Sequence, residues 1–224
     1  GYKFGAIPST FISVPFNQVW LPRRLELFKH EGSEALFGRV FTYFLVIIVF
    51  VGLGVSALIK EVLMIVAAPT FWDAYKIVPI IVLATTIFTF HYHFNIGLLI
   101  KKKTKELAFI NISNAIIIII LNLMLIPRYG MYGAAVAVLF AFMYKIILTY
   151  CLSSRYYSIH FEFMRIAKIL VCASIVYMLT MIIQLPNLYL LIVVKLFIIC
   201  LFPSFLYVSG FLSEMEKKTI SSYI

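Results

Sequence analysis

From Val40 to Ile59 the chain runs without a charged side chain, and it does so again from Leu107 to Ile126. Runs of about 20 apolar residues, coiled as helices, reach about 30 Å, the thickness of a bilayer's hydrocarbon core. Seven runs approach that length: Phe4–Leu21, Val40–Ile59, Ile77–Ile100, Leu107–Ile126, Met131–Leu152, Ile166–Leu185 and Leu188–Val208. Backbone groups in lipid must be hydrogen-bonded internally, and these runs lack the alternation of barrel strands, so each is expected to be a helix. The expected fold is all-α: a polytopic membrane helix bundle of about seven transmembrane helices over residues 1–208, followed by a cytoplasmic tail over 209–224.

Composition excludes the soluble alternative. The chain is 63% hydrophobic and 12% charged, with a mean hydropathy of +1.04, where soluble domains average about 45–50% apolar and about 25% charged. The net charge of +10 does not point to nucleic acid, because the basic residues sit in short runs between apolar stretches. The opening Gly1-Tyr2-Lys3-Phe4 has no signal-peptide pattern, so the sequence is expected to begin inside a longer protein. Cys151, Cys172 and Cys200 form no CxxC pair and read as small buried hydrophobes.

Alternating the loops between two sides gives an orientation. One side holds Arg23, Arg24, Lys29, Arg39, the basic turn Lys101–Lys105, Arg155, Arg165, Lys168, Lys217 and Lys218; the other holds only Lys3, Lys60, Lys76 and Arg128. The positive-inside rule makes the richer side, and the C-terminus, cytoplasmic. Pro22–Arg39 is then expected to form a cytoplasmic interfacial helix. Lys60–Lys76 is expected to form an amphipathic outer segment anchored by Trp72 and Tyr75.

The spans carry selected polar groups. Pro8, Pro15 and Pro22 recur every seven residues near one helix face, with Asn17 and Gln18 beside them. This suits either a bent helix lining a water-filled path or a kinked helix whose polar groups bond back to their own carbonyls. Asn111, Asn114 and Asn122 form an amide stripe able to bond a sugar or a neighbouring helix; for Asn122 the neighbouring helix is the better fit. Gly133, Ala137 and Ala141 make a small-residue face for close helix packing. His91 and His93, two apart on a helix, point about 200° away from each other and cannot share a metal ion. Neither a metal nor a cofactor is expected. No expected span contains a carboxylate: Glu61 and Asp73 fall in the outer segment, and Glu26, Glu31, Glu34, Glu106, Glu162, Glu214 and Glu216 are cytoplasmic. Without a buried acid or a nucleophile triad, the chain is not expected to be an enzyme.

The run from Asn122 through Leu125-Ile126-Pro127, Tyr129-Gly130 and Gly133-Ala134-Ala135 resembles the signature of bacterial polysaccharide biosynthesis flippases. These are the Wzx-type O-antigen and capsule exporters of the multidrug/oligosaccharidyl-lipid/polysaccharide superfamily. Pro15, Trp20, Pro22 and Glu26, Ala74 after a short outer helix, and Asn95, Gly97 and Leu98 before the basic turn agree with it. The resemblance implies a fourteen-helix protein of two lobes, of which this chain supplies the eighth to fourteenth helices, as a fragment or a truncated reading frame. It also implies an inner-membrane transporter of undecaprenyl-diphosphate-linked oligosaccharide, with partners in membrane lipids, an N-terminal lobe and other polysaccharide assembly proteins. A cation-coupled drug exporter of the same superfamily, or a polymerase or acyltransferase of the same pathway, is the alternative. On this reading Arg23 and Arg24 offer guanidinium forks to the diphosphate or serve as topology anchors. Lys195 snorkels outward, or meets the diphosphate or a lipid headgroup between the last two spans. Any acid that couples transport to an ion gradient is expected in the N-terminal lobe.

Overall fold

The computed structural model describes residues 1–212, which are helical with short connections. The elements are α1 (Tyr2–Gly5), a π-helical turn (Ser9–Ser13), α2 (Val14–Leu27), α3 (Ser33–Val66), a 3-10 helix (Pro69–Lys76), α4 (Val78–Phe94) and α5 (Ile96–Ile100). They continue with α6 (Thr104–Ser153), α7 (Phe163–Ile182), α8 (Leu188–Cys200) and α9 (Phe202–Val208). Among the described residues five stretches are long and apolar enough to cross a membrane: Ser33–Val66, Val78–Ile100, Thr104–Ser153, Phe163–Ile182 and Leu188–Val208. The described residues therefore form an all-helical, multi-pass bundle. Of the expected tail, residues 213–224, with Glu214, Glu216, Lys217 and Lys218, lie outside the described residues.

A straight α6 of 50 residues would be about 75 Å long. It folds back instead. Gly130 has φ 54 and ψ −128, a conformation outside the helix. A Cβ placed on Gly133 would strike the Leu125 carbonyl, eight residues earlier. At the open end, the Tyr156 hydroxyl donates to Glu106 Oε1 at 2.7 Å and Lys103 Nζ lies 5.1 Å from the Tyr156 ring centroid. The two arms are antiparallel because Pro127 ends the first and Gly130 supplies the positive φ that the reversal needs.

The expected single helix over Phe4–Leu21 is broken into α1, the π turn and α2. Pro8 has no N–H to give the Phe4 carbonyl, and the turn after it widens. Neither interfacial segment forms as expected. Pro22–Arg39 is divided between the end of α2 and the start of α3, with Gly32 at φ 79 between them. Lys60–Val66 continues α3, because Val62–Val66 is again apolar and nothing before Ala67 stops the helix. Only Pro69–Lys76 forms a short separate helix, where Trp72 Nε1 donates to the Ala67 carbonyl at 3.0 Å.

The core lies where α3, α4, α7, α8 and α9 meet, around Leu45, Ile48, Val176 and Phe202. Small residues set the closest approaches. A Cβ on Gly52 would lie 2.9 Å from Val82 on α4, and Ala135, Ala137 and Ala141 are buried where α6 packs on α4. The outer surface is oily: Phe11, Val19, Leu123, Ile182 and Val208 are each more than 70% exposed. Such a surface suits lipid rather than water. Cys172 is buried as expected, whereas Cys151 and Cys200 lie on this outer surface.

At the junction between α6 and α7, Tyr157 OH and Ser33 Oγ are hydrogen-bonded at 2.7 Å. Burial raises the Tyr157 phenol above its ordinary value near 10, against the lowering effect of the Ser33 bond. The stability this contributes is fully present below pH about 10 and is lost as pH rises through the higher folded value. Alkaline titration by phenolate absorbance is expected to show a late-ionising component, and Tyr157→Phe should diminish it.

Candidate functional site

Two polar sites occupy opposite ends of α4. The first adjoins its beginning. Leu53, Ala57 and Glu61 are spaced four apart, so Glu61 extends the buried face of α3 by one turn. Its carboxylate, 2% exposed, pairs with Lys195 of α8 at 2.6 Å, and Lys195 Nζ also donates to the Ala57 carbonyl at 3.0 Å. Glu61 Oε2 is buried with no hydrogen-bond partner. The pair borders a cavity of about 570 Å³ whose wall includes Lys60, Lys76, Tyr75, Thr180 and Gln184. Lys195 therefore does not snorkel, and the expectation that no span carries a carboxylate is corrected. The signal was present in the sequence: the apolar run resumes at Val62, which places Lys60 and Glu61 inside a helix rather than after one.

The second site lies at the other end of α4, around Arg24. This side chain is 1% exposed and makes two long hydrogen bonds, to the His93 carbonyl and to Asn17 Oδ1, each at 3.4 Å. Its Nε has no partner, and neither do the nearby His93 Nδ1, Trp20 Nε1 and Asn95 Oδ1. No carboxylate among the described residues pairs with it. Phe16, Phe41 and Phe44 pack on the His93 ring, with centroids at 5.9, 5.1 and 4.8 Å. A cation fixed in aromatic surroundings with unused donors is suited to an anion.

The remaining expected site residues are dispersed. Arg23 faces outward and pairs with Glu26 at 2.9 Å, so the two arginines do not form one double fork. Gln18 and Asn111 are exposed, and Asn114 is half-buried with its Oδ1 unpartnered. Asn122 donates to the Ile118 carbonyl at 2.8 Å. Its partner is thus its own helix rather than a neighbour, because the first arm of α6 is mostly unpacked at that depth. Within the signature run, Pro127 and Gly130 make the reversal, Gly133 is buried against its first arm, Ala135 is buried and Ala134 is half-buried. His91 and His93 diverge: His91 Nδ1 meets Thr149 Oγ1 on α6 at 3.1 Å, while His93 turns to α2 and α3. Lys145, buried, lies with its Nζ 4.8 Å from the Phe88 ring centroid. Among the described residues no three His, Cys, Asp or Glu side chains converge on a metal position.

Compared with protein-family models, with curated proteins and with solved structures, the chain finds no match.

Proposed function

We propose that the chain is the C-terminal portion of a bacterial inner-membrane flippase that moves undecaprenyl-diphosphate-linked oligosaccharide from the cytoplasmic to the outer leaflet. On this reading it crosses the membrane seven times. The two arms of α6 count separately, the broken helix over residues 2–27 adds a crossing, and the end carrying Arg24 faces the cytoplasm, where the Lys and Arg residues concentrate. The observation that carries the reading is Arg24, a buried guanidinium with unused donors and no acid to neutralise it. A diphosphate arriving from the cytoplasm supplies both the charge and the acceptors. The hairpin at Gly130 gives the signature run a physical role that the resemblance alone left open, since each of its glycines answers a backbone constraint.

In cells whose only copy of the gene encodes Arg24→Met, appearance of the lipid-linked glycan in the outer leaflet is expected to fall about 10- to 100-fold, the worth of a charge-assisted hydrogen bond or two. The melting temperature of the purified variant should stay level or rise, because a buried charge has been exchanged for an apolar chain of similar size. Arg24→Lys keeps the charge without the fork and should fall between. Full glycan export by Arg24→Met would overturn the assignment. A second reading, a cation-coupled drug exporter, draws on Glu61, an acid within a membrane-length helix where coupling ions are bound in many transporters. Drug efflux from the same cells, with glycan export untouched, would favour it.

A further inference from the structure

The cavity beside Glu61 and Lys195 adjoins a second one. This apolar groove of about 490 Å³ runs between α3, α4 and α7, and Ser56, Pro79 and Tyr177 line both spaces. One end of the combined space is polar and carries lysines; the other is hydrocarbon. An ion or a free sugar would fill only the first part, and a plain alkane only the second. The shape calls for an amphiphile.

The headgroup follows from the unmet hydrogen-bonding capacity. Lys195 uses two of its three donors, on Glu61 Oε1 and the Ala57 carbonyl. Lys60, on the rim, faces the Tyr75 ring and pairs with no carboxylate among the described residues. Both lysines call for an anionic acceptor. Glu61 Oε2, on a side chain 2% exposed, calls for a donor. A headgroup that is only anionic satisfies the lysines and leaves Oε2 without a hydrogen, at the cost of a buried unpaired acceptor. A phosphate carrying an ammonium group satisfies both. The 3-10 helix beside the cavity holds Trp72 and Tyr75, residue types that settle at headgroup level. That matches the depth at which a lipid phosphate would lie.

We propose that these two joined cavities bind one membrane phospholipid with an ethanolamine headgroup. Its phosphate lies on Lys60 and Lys195, its ammonium on Glu61 Oε2, and one acyl chain lies along the groove past Leu83. The inference goes beyond the transport reading and does not depend on it, since a bundle that moves no glycan would bind the same lipid.

The test uses the full natural protein in nanodiscs containing equal amounts of phosphatidylethanolamine and phosphatidylglycerol, with retained lipid identified by native mass spectrometry. Ethanolamine lipid is expected to be enriched about tenfold over the bulk ratio, equivalent to one charge-assisted hydrogen bond. Glu61→Gln combined with Lys195→Gln should return the ratio to that of the bulk. Lys60→Gln, at an exposed position with little influence on folding, should lower retention of both lipids by removing a phosphate contact, and Leu83→Trp should do the same by filling the groove. Retention at the bulk ratio, preference for phosphatidylglycerol, or total lipid retention unchanged by both Lys60→Gln and Leu83→Trp would each overturn the proposal. So would finding a glycan-linked lipid in the site instead.

Discussion

Glu61→Leu, with Lys195 left in place, is expected to destabilise the protein by about 3–5 kcal/mol, because it strands a buried ammonium with only the Ala57 carbonyl for company. For a chain of this size that is a fall of about 6–20 °C in melting temperature. Lys195→Leu should act in the same direction by stranding the carboxylate, and so should lower the protein's level as well as any activity. This differs from the sequence-based expectation, in which Lys195 snorkels outward or meets a diphosphate or lipid headgroup and has no buried acid beside it. Replacing both by leucine removes the ion pair from a low-dielectric interior and should recover most of the loss or exceed the starting stability. Thermal unfolding of the three variants in detergent gives the comparison. Additive losses in the double variant, or single variants that melt with the parent, would mean that the two charges do not interact. On the proposed transport reading the same acid bears on energy coupling, because α3 carries an ionisable carboxylate in a membrane-length helix, where the sequence-based expectation placed none.

The second large effect is expected at the hairpin. Gly133→Leu places a side chain against the Leu125 carbonyl, a backbone atom that cannot rotate away. Overpacking of this kind costs about 1–3 kcal/mol where the surroundings can relax, and more where they cannot. Gly130→Val imposes a β-branched side chain at φ 54, a strain of about 1–3 kcal/mol from conformation alone, although the space around it is open. Gly54→Leu is the control: it also sits on a membrane-length helix, but nothing lies within 4 Å of its Cβ position. Its stability should stay within about 0.5 kcal/mol of the parent. The yield of monodisperse protein and its melting temperature should rank Gly54→Leu near wild type and Gly133→Leu lowest. Equal behaviour of Gly54→Leu and Gly133→Leu would remove the case for a closed hairpin.

What could be read from the chain was local. Helical membrane segments follow from run length and the absence of charge, since backbone in lipid has no other way to satisfy itself. The reversal at Pro127–Gly130 follows from a missing N–H and a missing Cβ, both properties of single residues. The divergence of His91 and His93 follows from 100° per residue along one helix. A charge need not mark a boundary. Charges usually end membrane spans, which places Lys60 and Glu61 in an outer segment by sequence, yet α3 continues through them to Val66. Whether a glutamate in such a helix faces water, lipid or a cation depends on α8, whose Lys195 lies 134 residues away along the chain. Arg23 and Arg24 are neighbours of one type, and no rule of sequence separates them. Packing of α2 against α4 and α3 turns one into the interior beside His93 and leaves the other with Glu26 at the surface. The sequence by itself determined that the long apolar runs are helical and that the chain breaks between Ile126 and Met131, because those depend on residues within a few positions of one another. Only the tertiary structure decided which charges are buried and what they face, because the cost of burying a charge is met by partners that distant helices bring to it.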